Sequence, residues 1–237
     1  MLQATYTSVL NASSREELRA EVVRFGQNLG FETVAAIAVI DHPASESEFI
    51  TVDNTPQEFL ESWEDADGYR IDPVMQHVKH SSVPIIWSQR TYTEKGLGAR
   101  WEHQAKFGYH TGVCVALHLP EGRHFVLGVD RDLALPTDSG EITRIVADLQ
   151  LFAVHAQDTA LRLLAPEVIE ADRPGLTPRE LDSLRWTMEG KTAWEVGSIL
   201  GISERTAVLH IQNAMKKLGC ISKHQAVLKA LRLGLIR

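Results

Sequence analysis

Apolar residues in the first two thirds of the chain follow helical and strand periodicities in alternation. Residues 16–29 and 138–164 have amphipathic helical patterns, and the β-branched run over 33–40 predicts a buried strand. Further strands are predicted over 48–52, 113–119 and 124–130, and further helices over 57–64, 73–80 and 98–107. A hairpin turn at 120–123 joins two of the strands. The pattern indicates an α+β chain that begins with an α/β/α sandwich whose sheet is largely antiparallel.

From residue 176 onward the pattern is helical throughout. Ser203 is a favourable N-cap, Gly219 is a favourable C-terminal stop, and Gly201 and Ile202 supply a tight turn after a helix over 193–200. Two short helices joined in this way are typical of a helix-turn-helix. The second helix should bury Ala207, Ile211, Ala214 (or Met215) and Leu218. Its outward side should then carry Arg205, Val208, Gln212 and Lys216.

Charge divides the chain at the same place. The 237 residues carry a net charge of −7, yet residues 173–237 hold +6 and residues 1–172 hold −13. Prolines and an acidic, apolar-poor stretch interrupt the helical patterns, so we predict domains over 1–165 and 176–237 with a linker over 166–175. A cationic helix face is often only a solvated surface. Within a basic helix-turn-helix, however, it suits the binding of phosphates.

Composition favours a cytoplasmic protein. No apolar stretch reaches the eighteen residues needed to span a bilayer, and the N-terminus lacks the layout of a signal peptide. The two cysteines, Cys114 and Cys220, suit a reduced compartment and lack metal-ligand spacing. We therefore expect no membrane partner, no metal and no cofactor.

Many positions of the C-terminal region match the DNA-binding domain of LuxR-type transcription factors, in the same order. The matching residues are Leu176, Thr177, Arg179, Glu180, Leu184, Trp186, Gly190, Lys191, Thr192, Glu195, Ser203, Thr206, His210, Asn213, Lys217, Leu218, Ala226 and Gly234. The resemblance implies a four-helix unit that binds double-stranded DNA. In that unit residues 203–218 would read the major groove and residues 222–233 would offer a dimer face.

The predicted DNA contacts divide by chemistry. Residues at helix starts or on the outward stripe are expected to contact phosphates: Lys191, Thr192, Ser203, Arg205, Thr206 and Lys216. Base reading is expected from Val208, Leu209 and Gln212. The family usually has Val where Ala207 stands and a polar or basic residue where Val208 stands, so the operator sequence does not follow from the resemblance.

The N-terminal region resembles the family's domain that senses N-acyl-homoserine lactones. The resemblance rests on Asn54, Thr55, Pro56, Phe59, Trp63, Tyr69, Asp72, Pro73, Trp87, Gly108 and Gly112. A buried Asp72 carboxylate could accept a hydrogen bond from an amide N–H, and the Trp87 indole could pack against a small ring. The alternative is purely structural, because Asp-Pro often only starts a helix and aromatic clusters often form core. The predicted ligand-binding residues are Thr55, Phe59, Trp63, Asp72, Val74, Trp87, Gly112 and Gly128.

Two substitutions leave the ligand open. The family's usual Trp, whose indole N–H donates to the lactone carbonyl, is replaced by Phe59, and a usual Tyr is replaced by Trp63. One hypothesis is therefore a quorum-sensing receptor for a lactone or a related signal. The other is a LuxR solo that answers to another small molecule, such as a plant-derived compound.

Other classes of protein fit the residues less well. A response regulator needs clustered acids at a strand end, and Asp41 stands alone there. An enzyme that used Cys114 with a nearby histidine is disfavoured, because this cysteine lies among the apolar residues of a predicted strand. We predict a ligand-regulated transcription factor that acts as a homodimer with RNA polymerase as a further partner. The predicted dimer surfaces are the helix over 138–164 and the C-terminal helix with Val227, Leu228, Leu231 and Leu235.

Overall fold

The computed structural model describes residues 4–41, 47–62, 68–164 and 175–237. These residues form two compact units, one within residues 4–164 and one that includes residues 175–237. Of the predicted linker only Gly175 is described, and the predicted ligand contact Trp63 lies outside the described residues. The two units are presented separately below.

A five-stranded antiparallel sheet organises the first unit. Its strands are β1 (Thr33–Ile40), β2 (Glu48–Asp53), β3 (Ile85–Trp87), β4 (Thr111–Leu119) and β5 (Arg123–Arg131), in the order β2-β1-β5-β4-β3. Every strand pair is antiparallel. Four strands were predicted, whereas β3 was not, because three residues are too few to show an alternating pattern.

Helices cover both faces of this sheet. They are α1 (Ala4–Thr7), α2 (Arg15–Asn28), α3 (Gln57–Glu61), α4 (Gly68–Ile71), α5 (Pro73–His80), α6 (Gln89–Thr93), α7 (Gly98–Ala105) and α8 (Ser139–Leu164). Short 3-10 turns occupy Ser8–Asn11 and Pro120–Gly122. Helix α8 follows the prediction closely, because Asp138 caps it by accepting the Glu141 backbone N–H at 2.8 Å. Of the predicted helix over 57–64, α3 covers Gln57–Glu61 and ends there, while residues 63 and 64 lie outside the described residues.

Successive side chains of each strand point to opposite faces of the sheet, and the two faces differ in what packs against them. On β5, Phe125, Leu127 and Val129 point into a large core with helices α2 and α8. Val126 points the other way, into a smaller cluster that contains Trp87 and side chains from α5 to α7. Gly128 and Asp130 lie on the same side as Val126, because side chains two positions apart share a face.

Residues 175–237 of the second unit form four helices: α9 (Pro178–Met188), α10 (Ala193–Leu200), α11 (Glu204–Lys217) and α12 (Lys223–Arg232). Gly201 adopts the left-handed conformation that ends α10, and Ser203 caps α11 by accepting the Thr206 N–H at 3.1 Å. A Cβ atom at Gly197 would lie 2.9 Å from the Ile202 carbonyl oxygen. Glycine is therefore required where the turn approaches α10, and this close approach sets the helix-turn-helix geometry.

Candidate functional site

The floor of the candidate ligand site is built from small side chains. Ala35, Gly128 and Cys114 are cross-strand neighbours on β1, β5 and β4. A Cβ atom placed at Gly128 would lie 3.7 Å from the Cys114 Sγ, which is ordinary van der Waals contact, and would meet no other described residue outside its own chain neighbours within 4 Å. These three residues rise little above the sheet on the side that faces the cluster of Val74, Trp87 and Tyr92.

A second row of cross-strand neighbours is polar. Thr33, Asp130, Gly112 and Trp87 follow one another across β1, β5, β4 and β3. A Cβ at Gly112 would lie 2.5 Å from both the Asp130 Oδ1 and the Trp87 Nε1, so only glycine lets these two atoms approach. The Trp87 indole donates to the Asp130 carboxyl group, but burial still raises the pKa of Asp130 to about 8. At neutral pH this carboxyl group is mostly protonated.

Asp72 has all its acceptor positions in use. It is 7% exposed and precedes α5, where its Oδ1 accepts the backbone N–H groups of Val74 at 2.9 Å and Met75 at 3.0 Å. Its Oδ2 accepts the Tyr92 hydroxyl at 3.0 Å and the Arg100 Nε at 3.3 Å. The helix-capping interpretation is therefore correct for one oxygen. A ligand N–H that bonded the Oδ2 would have to displace Tyr92 or Arg100, or share this oxygen with them.

Aromatic rings close the site from the side of the helices. Phe59 is half-buried and stacks on Tyr109 with ring centroids 4.4 Å apart. Trp87 is 3% exposed and meets Tyr92 edge-on at 5.8 Å. The same apolar cluster includes Val74, whereas Thr55 is half-buried just beyond β2. Seven of the eight predicted ligand contacts thus belong to or border one side of the sheet.

Four further residues of this site were not predicted from the sequence: Tyr92, Arg100, Tyr109 and Asp130. Arg100 and Asp72 form an ion pair whose side chains are only 12% and 10% exposed. The sequence could have indicated Asp130, because strand residues two positions apart share a face of the sheet. Asp130 therefore faces the same side as Val126 and Gly128. Nearby, a cleft of about 550 Å³ is lined by Thr33, Asn54 and Phe107, among others.

The candidate DNA interface of the second unit is α11. Ala207, Ile211, Ala214 and Leu218 are buried as predicted, while Arg205, Leu209, Gln212 and Lys216 are exposed. Val208 differs from the prediction of an outward position. It is half-buried and lines a cleft of about 430 Å³ together with Gln212 and Lys191, because the start of α12 lies beside this flank.

Two of the predicted phosphate contacts, Thr192 and Ser203, are helix caps. The Glu195 carboxylate accepts the Thr192 backbone N–H at 2.8 Å and its hydroxyl at 2.9 Å, and it lies 4.0 Å from the Lys191 Nζ. The hydroxyls of Ser203 and Thr206 bond each other at 2.8 Å. These groups lie at the starts of α10 and α11, where backbone N–H groups favour anions.

Two adjacent lysines at the end of α11 have different surroundings. The Lys217 Nζ donates to the Glu180 Oε2 at 2.8 Å and to the Gly175 carbonyl at 3.0 Å. The Glu180 side chain is only 4% exposed, and its hydrogen bonds with Lys217 and Thr177 lower its pKa despite the burial. Lys216 is exposed and forms no ion pair within the described ranges. Lys216 is therefore the better placed of the two lysines to contact an external phosphate.

Other chemistry has little support. Burial raises the pKa of the Cys114 thiol far above neutrality, so it is not a reactive thiolate. Among the residues with described positions, no His, Cys, Asp or Glu side chains form a group of three that could hold a metal ion. A helix with the length and apolarity for a membrane span is likewise missing from those ranges.

Comparison with known proteins separates the same two regions. The family model for the autoinducer binding domain matches residues 14–160, and the model for bacterial regulatory proteins of the luxR family matches residues 174–230. The transcriptional activator protein SolR of Ralstonia nicotianae is 31% identical over 235 residues, covering 99% of this chain and 98% of that protein. The HTH-type quorum sensing-dependent transcriptional regulator RpaR of Rhodopseudomonas palustris is 31% identical, with 96% and 93% covered.

Solved structures agree with this comparison. The crystal structure of Escherichia coli SdiA matches with a TM-score of 0.75 at 26% identity, covering 97% of this chain and 94% of that chain. SdiA in complex with octanoyl-rac-glycerol matches with a TM-score of 0.76 at the same identity, with 99% and 95% covered.

Proposed function

Since the chain belongs to the LuxR family of autoinducer-binding transcriptional regulators, we propose that its signal is an N-acyl-homoserine lactone held on the Asp72 side of the sheet. The protein is a quorum-sensing DNA-binding regulator and not an enzyme. The observation that carries the choice of site is Asp72 itself. It is a buried carboxylate with one oxygen fixed by the start of α5 and the other held only by side chains.

The proposed ligand contacts are Thr55, Phe59, Trp63, Asp72, Val74, Trp87, Gly112 and Gly128. The acyl chain would lie over Ala35, Gly128 and Cys114, where small side chains leave room. The amide N–H would bond the Asp72 Oδ2 in place of Tyr92 or Arg100. A replaced Arg100 could then donate to a ligand carbonyl, because a guanidinium presents several N–H donors. In this exchange both the Asp72 Oδ2 and the Arg100 guanidinium would remain bonded.

Ligand binding would control the protein through its stability. A molecule that fills an apolar site in the native state, and has no site in the unfolded chain, stabilises the fold by mass action. The bound protein would then be the form that occupies DNA. No additional cofactor is required by this scheme.

For the second unit we propose that α11 enters the major groove. Lys191, Thr192, Ser203, Arg205, Thr206 and Lys216 would contact phosphates, while Val208, Leu209 and Gln212 would meet base edges. The exposed positions of Leu209 and Gln212 support base contact, and the basic charge of residues 173–237 supports phosphate binding. We further propose a homodimer on two half-sites and contact with RNA polymerase.

A melting-temperature screen tests the ligand proposal. The purified full chain would be heated with butanoyl, hexanoyl, octanoyl, dodecanoyl and aromatic homoserine lactones, with octanoylglycerol and plant-type phenolics in parallel. At a hundredfold excess over Kd, one lactone class should stabilise the protein by about 2.7 kcal/mol, or roughly 5–10 °C. Asp72→Asn should lose this response, because an amide keeps the helix cap but not the charge. A rise with octanoylglycerol or a phenolic alone would contradict a lactone signal.

A further inference from the structure

The Tyr109 hydroxyl is an exception among the polar groups of the ligand site. Tyr109 is 8% exposed, and its hydroxyl oxygen is buried without a hydrogen-bond partner of normal geometry in the described part of the chain. Its backbone is well anchored, since the Tyr109 N–H donates to the Gln104 carbonyl and the Gln104 side chain donates back to the Tyr109 carbonyl. Buried hydroxyl groups are almost always bonded in native proteins. A fixed ring that holds an unsatisfied hydroxyl therefore leaves one donor for a partner that the described residues do not supply.

The hydroxyl lies at the polar end of the site. Burial and the nearby Asp130 carboxyl group raise the pKa of Tyr109, while hydrogen-bonding interactions with the Thr55 and Thr33 side chains lower it. Both side chains approach the Tyr109 hydroxyl, but neither has the geometry of a full hydrogen bond to it. Thr33 and Asp130 belong to the polar row that also contains Gly112 and Trp87. The unsatisfied hydroxyl thus borders the row of polar side chains, next to the small-residue floor on which we place the ligand.

The other aromatic donors of this cluster are already engaged. The Trp87 indole donates to Asp130, the Trp101 indole donates to the His110 carbonyl at 3.0 Å, and the Tyr92 hydroxyl donates to Asp72. Phe59 has no donor, and its ring stacks on the Tyr109 ring at an interplanar angle of 23°. Among the described aromatic side chains of the cluster, Tyr109 is the one with a donor still to satisfy.

We propose that the Tyr109 hydroxyl donates a hydrogen bond to the ring carbonyl of the bound lactone, in place of the indole N–H that Phe59 lacks. This inference rests on the proposed lactone ligand. The stacked rings of Phe59 and Tyr109 would form one wall of the ligand's head-group site. The hydrogen-bond donor of this wall would then be the Tyr109 hydroxyl, since Phe59 has none. The substitution at Phe59 then need not abolish lactone recognition.

Paired probes test this bond. One probe is the best-binding N-acyl-homoserine lactone of the screen, and the other is the N-cyclopentyl amide with the same acyl chain, which keeps the amide but has no ring carbonyl. Kd is measured by calorimetry for the native protein and for Tyr109→Phe, which preserves the ring stack. We expect Tyr109→Phe to raise the lactone Kd about tenfold and to change the cyclopentyl amide Kd less than about twofold.

Tyr92→Phe is the matched control for folding. It removes a hydroxyl that is bonded to Asp72, so it should lower the melting temperature without ligand, whereas Tyr109→Phe should not lower it. Equal losses for both probes, or no loss for either, would overturn the inference and leave the lactone receptor intact. If the native protein bound neither probe, the lactone proposal would fall and this inference with it.

Discussion

Asp130 shows how a single side chain can couple the ligand site to pH. Its pKa is raised to about 8 because burial penalises the carboxylate, and neighbouring Asp72 adds like-charge repulsion. In the unfolded chain an aspartate titrates near pH 4. Between these two values the native state holds a proton that the unfolded state releases. The free energy of unfolding must therefore fall as pH rises from about 4 to about 8.

Asp130→Asn should remove this dependence. Asparagine resembles the protonated acid in shape and cannot ionise, so the stability of the variant relative to the native protein should rise from pH 5 to pH 8. The rise should be on the order of 2 kcal/mol or more, since each pH unit contributes at most about 1.4 kcal/mol. The measurement is urea unfolding of both proteins from pH 5 to pH 8. Because histidines also titrate in this range, the quantity to compare is the difference between variant and native protein.

The control for this comparison is Asp158→Asn, which changes an exposed aspartate on α8. Its stability difference from the native protein should stay constant across the same pH range. If the Asp130→Asn difference were equally constant, the Asp130 carboxyl group would be ionised in the native state and its assignment as a buried acid would be wrong.

At the scale of the element, α11 uses two adjacent lysines for different purposes. Successive residues on a helix point about 100° apart, so Lys216 faces solvent while Lys217 turns toward the start of α9. There it neutralises Glu180, whose carboxylate also accepts the Thr177 backbone N–H at 2.7 Å. One lysine is thus available for DNA, and the other holds α11 to α9.

Lys216→Ala and Lys217→Ala should therefore change different properties of the protein. Lys216→Ala should weaken binding to every DNA sequence and reduce the slope of log K against log salt by about one, with unchanged stability. Lys217→Ala should lower the free energy of unfolding by roughly 1–2 kcal/mol, because the buried Glu180 carboxylate loses its cation, although solvent screens a lysine that is 38% exposed. Fluorescence anisotropy at several salt concentrations and urea unfolding measure the two quantities. Equal effects of both variants on stability would refute the division.

The sequence predicted the long elements well and the site only in part. Helices α2, α8 and α11 could be located because periodicity and capping residues such as Ser203 are local signals. Strand β3 and helix α6 were missed because three and five residues show no period. Tyr109 and Asp130 were missed for another reason. Their importance arises from cross-strand register and burial, which join residues that are far apart in sequence.

At the scale of the whole molecule, opposite charges separate sensing from DNA binding. Residues 1–172 carry −13 and are repelled by phosphates, so nonspecific affinity for DNA must come from the +6 of residues 173–237. A small basic unit of this kind contacts only a short stretch of one groove. Pairing two copies on neighbouring half-sites adds specificity that one copy lacks, which is the physical reason to expect a homodimer.

Burial within the second unit limits which residues of the proposed C-terminal dimer surface could contact a second copy. Val227 is 9% exposed and packs within its own unit, and Leu235 is partly buried against the same core, so both offer less surface than the exposed leucines of this region. Leu228 and Leu231 are 55% and 39% exposed. The apolar surface that a second copy could cover on this helix is therefore centred on these two leucines.

Leu228→Ser should weaken dimerisation without unfolding the protein. The leucine is lost from both copies of a twofold interface, and burial of each is worth about 1.5–3 kcal/mol, so the dimer Kd should rise by at least about tenfold. The dimer Kd is measured by sedimentation velocity in the presence of the stabilising ligand and of a duplex that carries two half-sites. Leu133→Ser is the matched control, because it removes a leucine that is 67% exposed outside both proposed dimer surfaces. If both variants assembled like the native protein, the contact would not involve α12, and a native protein that stayed monomeric would refute the homodimer.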